Sequence, residues 1–201
     1  GGMVQDPRFF PGTRSRHSRQ LPTQIVCSGP DSDWNSLRMM YANMIHNANQ
    51  RIFVQSPYFV PEATIINALT TASLSGVEVN LMMTGIPDKR IPFWVAHTYF
   101  EELIEAGVNI YLFEEGFFHA KTLVVDGSIA TVGSCNLDVR SFHLDYELNA
   151  FFYDQKVAEE LIDKFEEDRA GCRQIHREDI RRLALPLRLR NSIFRMIAPL
   201  L

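Results

Sequence analysis

An Asp-Gly pair stands at positions 126 and 127 between two apolar runs, Leu123-Val124-Val125 before it and Ile129, Thr131 and Val132 after it. Asp-Gly between β-rich segments is a strong short-range hairpin signal, because its tight turn needs positive φ at both central residues. The stretch from Phe117 to Asn136 therefore reads as two antiparallel strands. Side chains leave a strand alternately to each face, so His119 and Lys121 share one face, and Ser134 and Asn136 share one. With a loop of residues 126 and 127, His119 faces Ser134 and Lys121 faces Val132. With the loop shifted, His119 faces Asn136 and Lys121 faces Ser134. Either register gathers an imidazole, an ammonium and one or two small polar groups near the strand end.

That grouping suits phosphoryl chemistry. A neutral imidazole attacks phosphorus, and a protonated one donates to a leaving oxygen. The lysine offers a fixed positive charge to the phosphoryl oxygens. Ser134 and Asn136 offer hydrogen bonds to the same oxygens. No metal or other cofactor is called for, because the ammonium supplies the charge that Mg²⁺ often provides.

His119-x-Lys121-x4-Asp126, followed by Gly127, Gly133, Ser134 and Asn136, resembles the HKD signature of the phospholipase D superfamily. The stretches Asn136 to Asn149, Ser28 to Trp34 and Ser56 to Glu62 extend the likeness to the C-terminal half of the bacterial cardiolipin synthases. The resemblance implies His119, Lys121, Asp126 and Glu147 as the catalytic set, with Lys121, Ser134 and Asn136 around the phosphate. It implies phosphatidyl transfer between two phosphatidylglycerol molecules through a phosphohistidine, at a bacterial cell membrane. Asp126, at the turn, orders the hairpin rather than touching substrate in this reading.

Composition narrows the alternatives. A chain of 201 residues, 46% apolar, can bury one sizeable core. Its net charge of -4 argues against a general nucleic-acid binder. Cys27, Cys135 and Cys172 give neither a paired framework nor a zinc spacing, which points to a reducing compartment. Cys135 alternates away from Ser134 and Asn136 and reads as packing. No run of 18 apolar residues is present, so membrane association within this chain is peripheral.

Along the chain, residues 1–22 read as a basic linker, 23–170 as a phospholipase D-like α/β domain, and 171–201 as a basic, apolar, helical tail. Strands are expected at 24–28, 51–56, 77–83, 108–113 and 146–152. Helices are expected at 34–47 (capped by Asp33), 62–75, 92–106 and 155–170. Gly76 follows the second helix as a C-terminal glycine should. This order gives an α/β fold with a mixed sheet and helices on both faces. Tyr58 and Phe59, in the loop past the second strand, are candidates to line the substrate path. Glu147 is the one acid in an apolar strand and needs a partner; a histidine nitrogen is a suitable one, and the resemblance makes it His119. From Arg173 onward the tail carries seven arginines against two acids. It reads as strand-free, with residues 186–201 forming either a helix on anionic lipid or one docked on the core.

The sequence carries one copy of the signature, whereas the superfamily chemistry uses two histidines in opposite protonation states. The chain is therefore expected to form half of an active site. Its partners are then the N-terminal HKD half of the same protein or a homodimer mate, and anionic phospholipid at a membrane surface, with no nucleic acid. The alternatives are a self-paired phosphodiesterase or nuclease, and a lipid-binding half inactive alone.

Overall fold

The computed structural model describes residues 21–181. The tail helix expected at 186–201 and nearly all of the 1–22 linker lie outside the described residues.

The first half alternates strand and helix. β1 (Thr23–Ser28) leads to α1 (Ser36–His46), β2 (Arg51–Gln55), the short β3 (Phe59–Val60) and α2 (Ala63–Leu74). β4 (Glu78–Thr84), α3 (Arg90–Ala96), α4 (Phe100–Glu105) and β5 (Asn109–Phe113) follow. β2, β4 and β5 lie parallel, as strands joined by helical crossovers must. The hairpin β6 (Thr122–Val125) and β7 (Ile129–Gly133) then enters antiparallel beside β2. β8 (Leu137–Asp138) and α5 (Val139–His143) precede β9 (Glu147–Phe152) and α6 (Gln155–Arg169). β10 (Cys172–Ile175) and α7 (Arg177–Arg181) close the described chain. The main sheet has eight strands in the order β1-β9-β7-β6-β2-β4-β5-β10.

Alternation along β2 shows how the layers form. Ile52 and Val54 enter the larger core with Leu37, Ile45, Ile65 and Leu69 from α1 and α2, whereas Phe53 enters a second core with Ile162 and Phe165 of α6. Both faces of this strand are covered, so it reads as a continuous apolar run. α2 ends ahead of Gly76, whose φ of +92° is a conformation that glycine adopts without strain.

Three expectations fail locally. Asp33 does not cap α1. The helix starts at Ser36 after Asn35, and the Asn35 amide nitrogen lies 3.0 Å from His143 Nδ1 instead of on its own helix. The single helix expected at 92–106 is two, broken over residues 97–99. There the His97 ring nitrogen bonds the Phe93 carbonyl at 2.7 Å and the Thr98 hydroxyl donates to the Val95 carbonyl at 2.7 Å. Such side-chain bonds compete with the helix ladder. The tail is not strand-free, because Cys172–Ile175 pairs antiparallel with the outer edge of β5. These four residues have little strand pattern of their own, and the exposed edge of β5 supplies the pairing partner.

Candidate active site

The hairpin turn is built by Asp126. Val125 pairs with Ile129, so the loop is Asp126-Gly127-Ser128, with φ of 53° at Asp126 and 62° at Gly127. Asp126 is held in this unusual conformation from outside the hairpin. Its carboxylate accepts from the backbone N–H groups of Asn49 at 2.9 Å, Gln50 at 2.8 Å and Arg51 at 3.0 Å. Burial pushes its pKa up, but these backbone N–H groups more than offset that and leave it below the ordinary value. The residue thus ties the turn to the start of β2.

The three-residue loop sets a register between the two expected ones. Thr122 pairs with Val132, and the Gly133 N–H donates to the Lys121 carbonyl at 3.3 Å. Lys121 therefore faces Gly133, and Ser134 turns to the other side of the strand. Ser134 is spent on β9: its hydroxyl accepts from the Leu148 N–H at 3.0 Å. Gly133 is required here, since a Cβ would collide with the Asn149 side chain.

Asn149 was not singled out by sequence, yet it fixes this strand end. Fully buried, it donates to Tyr41 Oη and Thr131 Oγ1, both at 3.0 Å, and accepts from the Cys135 N–H at 3.3 Å. Cys135 is buried as well, and burial raises its thiol pKa well above the ordinary range, so it is packing and not a nucleophile.

His119 is exposed, with its ring stacked on Phe117 at 5.4 Å between centroids. Lys121 is 8% exposed and its ammonium donates to the His119 carbonyl at 3.1 Å. Desolvation lowers the pKa of Lys121, while the charges of Glu147 and Asp138 oppose the shift. An ammonium has three donors, so after the His119 carbonyl is served the group retains capacity for an anion. Glu147 makes no hydrogen bond to His119 among the described residues; it acts on Lys121 through its charge.

Asn136 donates from its amide nitrogen to Ser141 Oγ at 3.2 Å, and its Oδ1 is buried with no protein partner among the described residues. Turning the amide over would pair Oδ1 with the Ser141 hydroxyl and leave the NH₂ unsatisfied. Either way Asn136 keeps one polar atom for something else. Asp138 adds a buried acid that the sequence reading passed over, although Asp138-x-x-Ser141 has the spacing of a helix cap. Its carboxylate accepts from the Ser141 N–H at 2.6 Å, and burial raises its pKa.

β3 and β8 bring the two candidate loops together. Phe59 pairs with Leu137 and Val60 with Asp138 in a parallel two-stranded sheet. Ser56 Oγ reinforces it, accepting from the Leu137 N–H at 3.0 Å and donating to the Tyr58 carbonyl at 2.6 Å. Tyr58 comes to line a cavity beside Asn136. Phe59 does not: it is fully buried and meets Tyr99 edge-on, which removes it from any substrate path.

The family model described as "Cardiolipin synthase, PLD-like domain" matches residues 41–169. The chain belongs to that family. It is 43% identical over 195 residues to the major cardiolipin synthase ClsA of Bacillus subtilis (strain 168), covering 97% of this chain and 40% of the relative. It is 41% identical over 190 residues to a cardiolipin synthase of Clostridium perfringens (strain SM101 / Type A), covering 92% of this chain and 40% of the relative. The chain thus spans about 40% of the length of these curated relatives. Among solved structures it superposes on Nuc, a phospholipase D family member from Salmonella typhimurium, with a TM-score of 0.66 and 19% identity, over 78% of this chain and 99% of Nuc. It superposes on phosphatidylserine synthase of Haemophilus influenzae Rd KW20 with a TM-score of 0.69 and 17% identity, over 89% of this chain and 47% of that one. The mixed sheet with helices on both faces is therefore the phospholipase D fold. Among the described residues of this cardiolipin synthase PLD-like domain, no helix is long and apolar enough to cross a membrane.

Proposed function

We propose that this domain supplies one histidine, the lysine and the asparagine of a phosphatidyl-transfer site. The carrying observation is the desolvated Lys121 ammonium bonded to the His119 backbone and held by no ion pair among the described residues. A phosphodiester anion can take the donors that this ammonium keeps after the His119 carbonyl is served. In the proposed reaction one histidine attacks the phosphorus of phosphatidylglycerol. The bond from phosphorus to the glycerol oxygen breaks, and the departing glycerol takes a proton from a second, protonated histidine. The hydroxyl of another phosphatidylglycerol then gives its proton to that second histidine and attacks phosphorus, and the P–N bond breaks to yield cardiolipin. His119 takes the acid/base role, Lys121 and Asn136 hold the phosphoryl oxygens, and Glu147 supports the Lys121 charge.

The two histidines need opposite protonation states at the start, so the second must come from another phospholipase D-like half. The sheet offers a place for it. α6 packs over β2, β5, β6, β7 and β10. Beyond it, Ile25, Val132 and Leu148 stand exposed on one sheet face, where Ile25 pairs with Ala150 and Ala150 with Val132. We place the partner half, whether from a longer chain or a second copy, against this strip, and the lipid at a membrane surface beside it.

The test is to incubate the domain, together with the phospholipase D-like half that supplies the attacking histidine, with phosphatidylglycerol labelled at the phosphodiester and to trap label on protein, using wild type, His119→Ala and Lys121→Met of this domain. Label on the wild type that both variants lose supports the reading. Label that persists in Lys121→Met rejects the assigned phosphate cradle.

A further inference from the structure

Next to the phosphate cradle lies a cavity of about 130 Å³. Asn136 forms the wall that it shares with the cradle, and Asp138, whose charge acts on Lys121, forms another part of it. Anything bonded to a phosphorus at Lys121 and Asn136 therefore has this cavity as a neighbour.

The chemistry of the lining is specific. Lys89, Arg140, Asp138 and Asp145 bring two cations and two acids. Arg140 Nε donates to Asp145 at 3.0 Å, and the Lys89 ammonium sits 5.9 Å from the centroid of the Tyr58 ring. The Tyr58 hydroxyl donates to Asp88 at 2.7 Å and, with burial and that carboxylate pushing its pKa up to about 12, it stays protonated. The lining has donors and acceptors in plenty and charges that cancel. A neutral ligand with several hydroxyls fits such a surface, because every hydroxyl both donates and accepts. An ammonium headgroup only donates, so it would leave the donors of Lys89 and Arg140 without an acceptor. The cavity is well above the ~10–15 Å³ that a single water needs, so it has room for a small polyol.

We propose that this cavity is the subsite for the glycerol headgroup of the phospholipid, and that Tyr58, Lys89, Asp138 and Arg140 select a neutral polyol over an ammonium headgroup. The proposal rests on the reading that Lys121 and Asn136 hold the phosphate.

Three soluble probes with the same phosphate separate the two ideas: methyl phosphate, glycerol phosphate and ethanolamine phosphate, titrated calorimetrically into the full chain. Glycerol phosphate is expected to bind about tenfold tighter than methyl phosphate, the worth of one or two net hydrogen bonds. Ethanolamine phosphate is expected to gain nothing over methyl phosphate. Val139→Phe, which fills the cavity, brings the glycerol-to-methyl ratio to one. Arg140→Met, at a side chain 62% exposed and safe for the fold, reduces that ratio severalfold. A wild-type ratio of one, with methyl phosphate still bound, overturns the subsite and leaves the phosphate cradle standing. A tenfold ratio that survives Val139→Phe and Arg140→Met places the polyol elsewhere and also overturns it. No binding of methyl phosphate by the wild type overturns cradle and subsite together.

Discussion

The Asn136 amide nitrogen donates to the Ser141 hydroxyl across 3.2 Å, which couples the last residue of the signature to α5. α5 is itself anchored from the far side, where His143 Nε2 bonds the Glu62 carboxylate and Arg38 bonds the same carboxylate at 3.1 Å. Asn136 is thus aimed by a short helix that α1 and the start of α2 hold in place.

Ser141→Ala frees the Asn136 amide but keeps the helix cap, because Asp138 accepts from the Ser141 backbone N–H. Affinity for dimethyl phosphate should fall two- to fivefold, about the worth of one hydrogen bond, while the melting temperature moves little. A calorimetric titration beside a thermal melt checks both. An affinity equal to wild type would detach Asn136 from the phosphate.

His143→Ala removes the anchor of α5 and is expected to cost about 1–2 kcal/mol. For a domain of this size that lowers the melting temperature by roughly 2–8 °C. Arg173→Ala, which breaks only an exposed pair with Glu114, should shift it by less than about 2 °C. Differential scanning calorimetry of the two variants distinguishes the anchor from an ordinary surface contact.

The pH dependence of anion binding should report Lys121. Burial pulls its pKa below 10.5, so the ammonium is lost earlier than for a free lysine. Dimethyl phosphate keeps its charge across this range, and its affinity should fall as pH climbs through the lowered pKa toward 10.5. Lys121→Arg should keep whatever affinity it has nearly flat, because a guanidinium does not titrate there. For stability the sign is opposite. The depressed pKa means that the fold carries the cost of a buried charge below that pKa, and the cost is relieved as pH rises to 10.5.

Asp126→Ala removes the acceptor of three backbone N–H groups and leaves a non-glycine residue at positive φ. A loss of about 2–3 kcal/mol is expected. Urea denaturation measures it, and a loss under 0.5 kcal/mol would deny the turn its tie to β2. Because the carboxylate pKa is lowered in the fold, its contribution is full above the unfolded value near 3.8 and fades as pH falls through the lower folded value.

Leu148→Glu puts a charge in the exposed strip of Ile25, Val132 and Leu148. Sedimentation should show that association with a second phospholipase D-like half is lost, since a charge buried at an apolar contact is costly. The melting temperature should hold, because Leu148 is already 49% exposed. Association that survives the change would move the partner to another face.

Local patterns determined a great deal. Period-two and period-three-to-four apolar spacing gave most strands and helices, because those periods report which side of an element meets the core. The spacing of His119, Lys121, Asp126 and Asn136 carried the family, since alternation along one ribbon is a property of the backbone. Tertiary structure decided what depends on contact between distant segments. Cys172–Ile175 is a strand because β5 had a free edge, and Ser134 turned to β9 because the loop holds three residues, a length fixed by the Asp126 bonds to the start of β2. Phe59 went into the core while its neighbour Tyr58 reached the cavity, and Asp138 joined the surroundings of Lys121, through a two-stranded pairing of segments far apart in the chain. Hydrogen-bond partners and desolvation are set by what folds against a residue, and no period in the sequence encodes them.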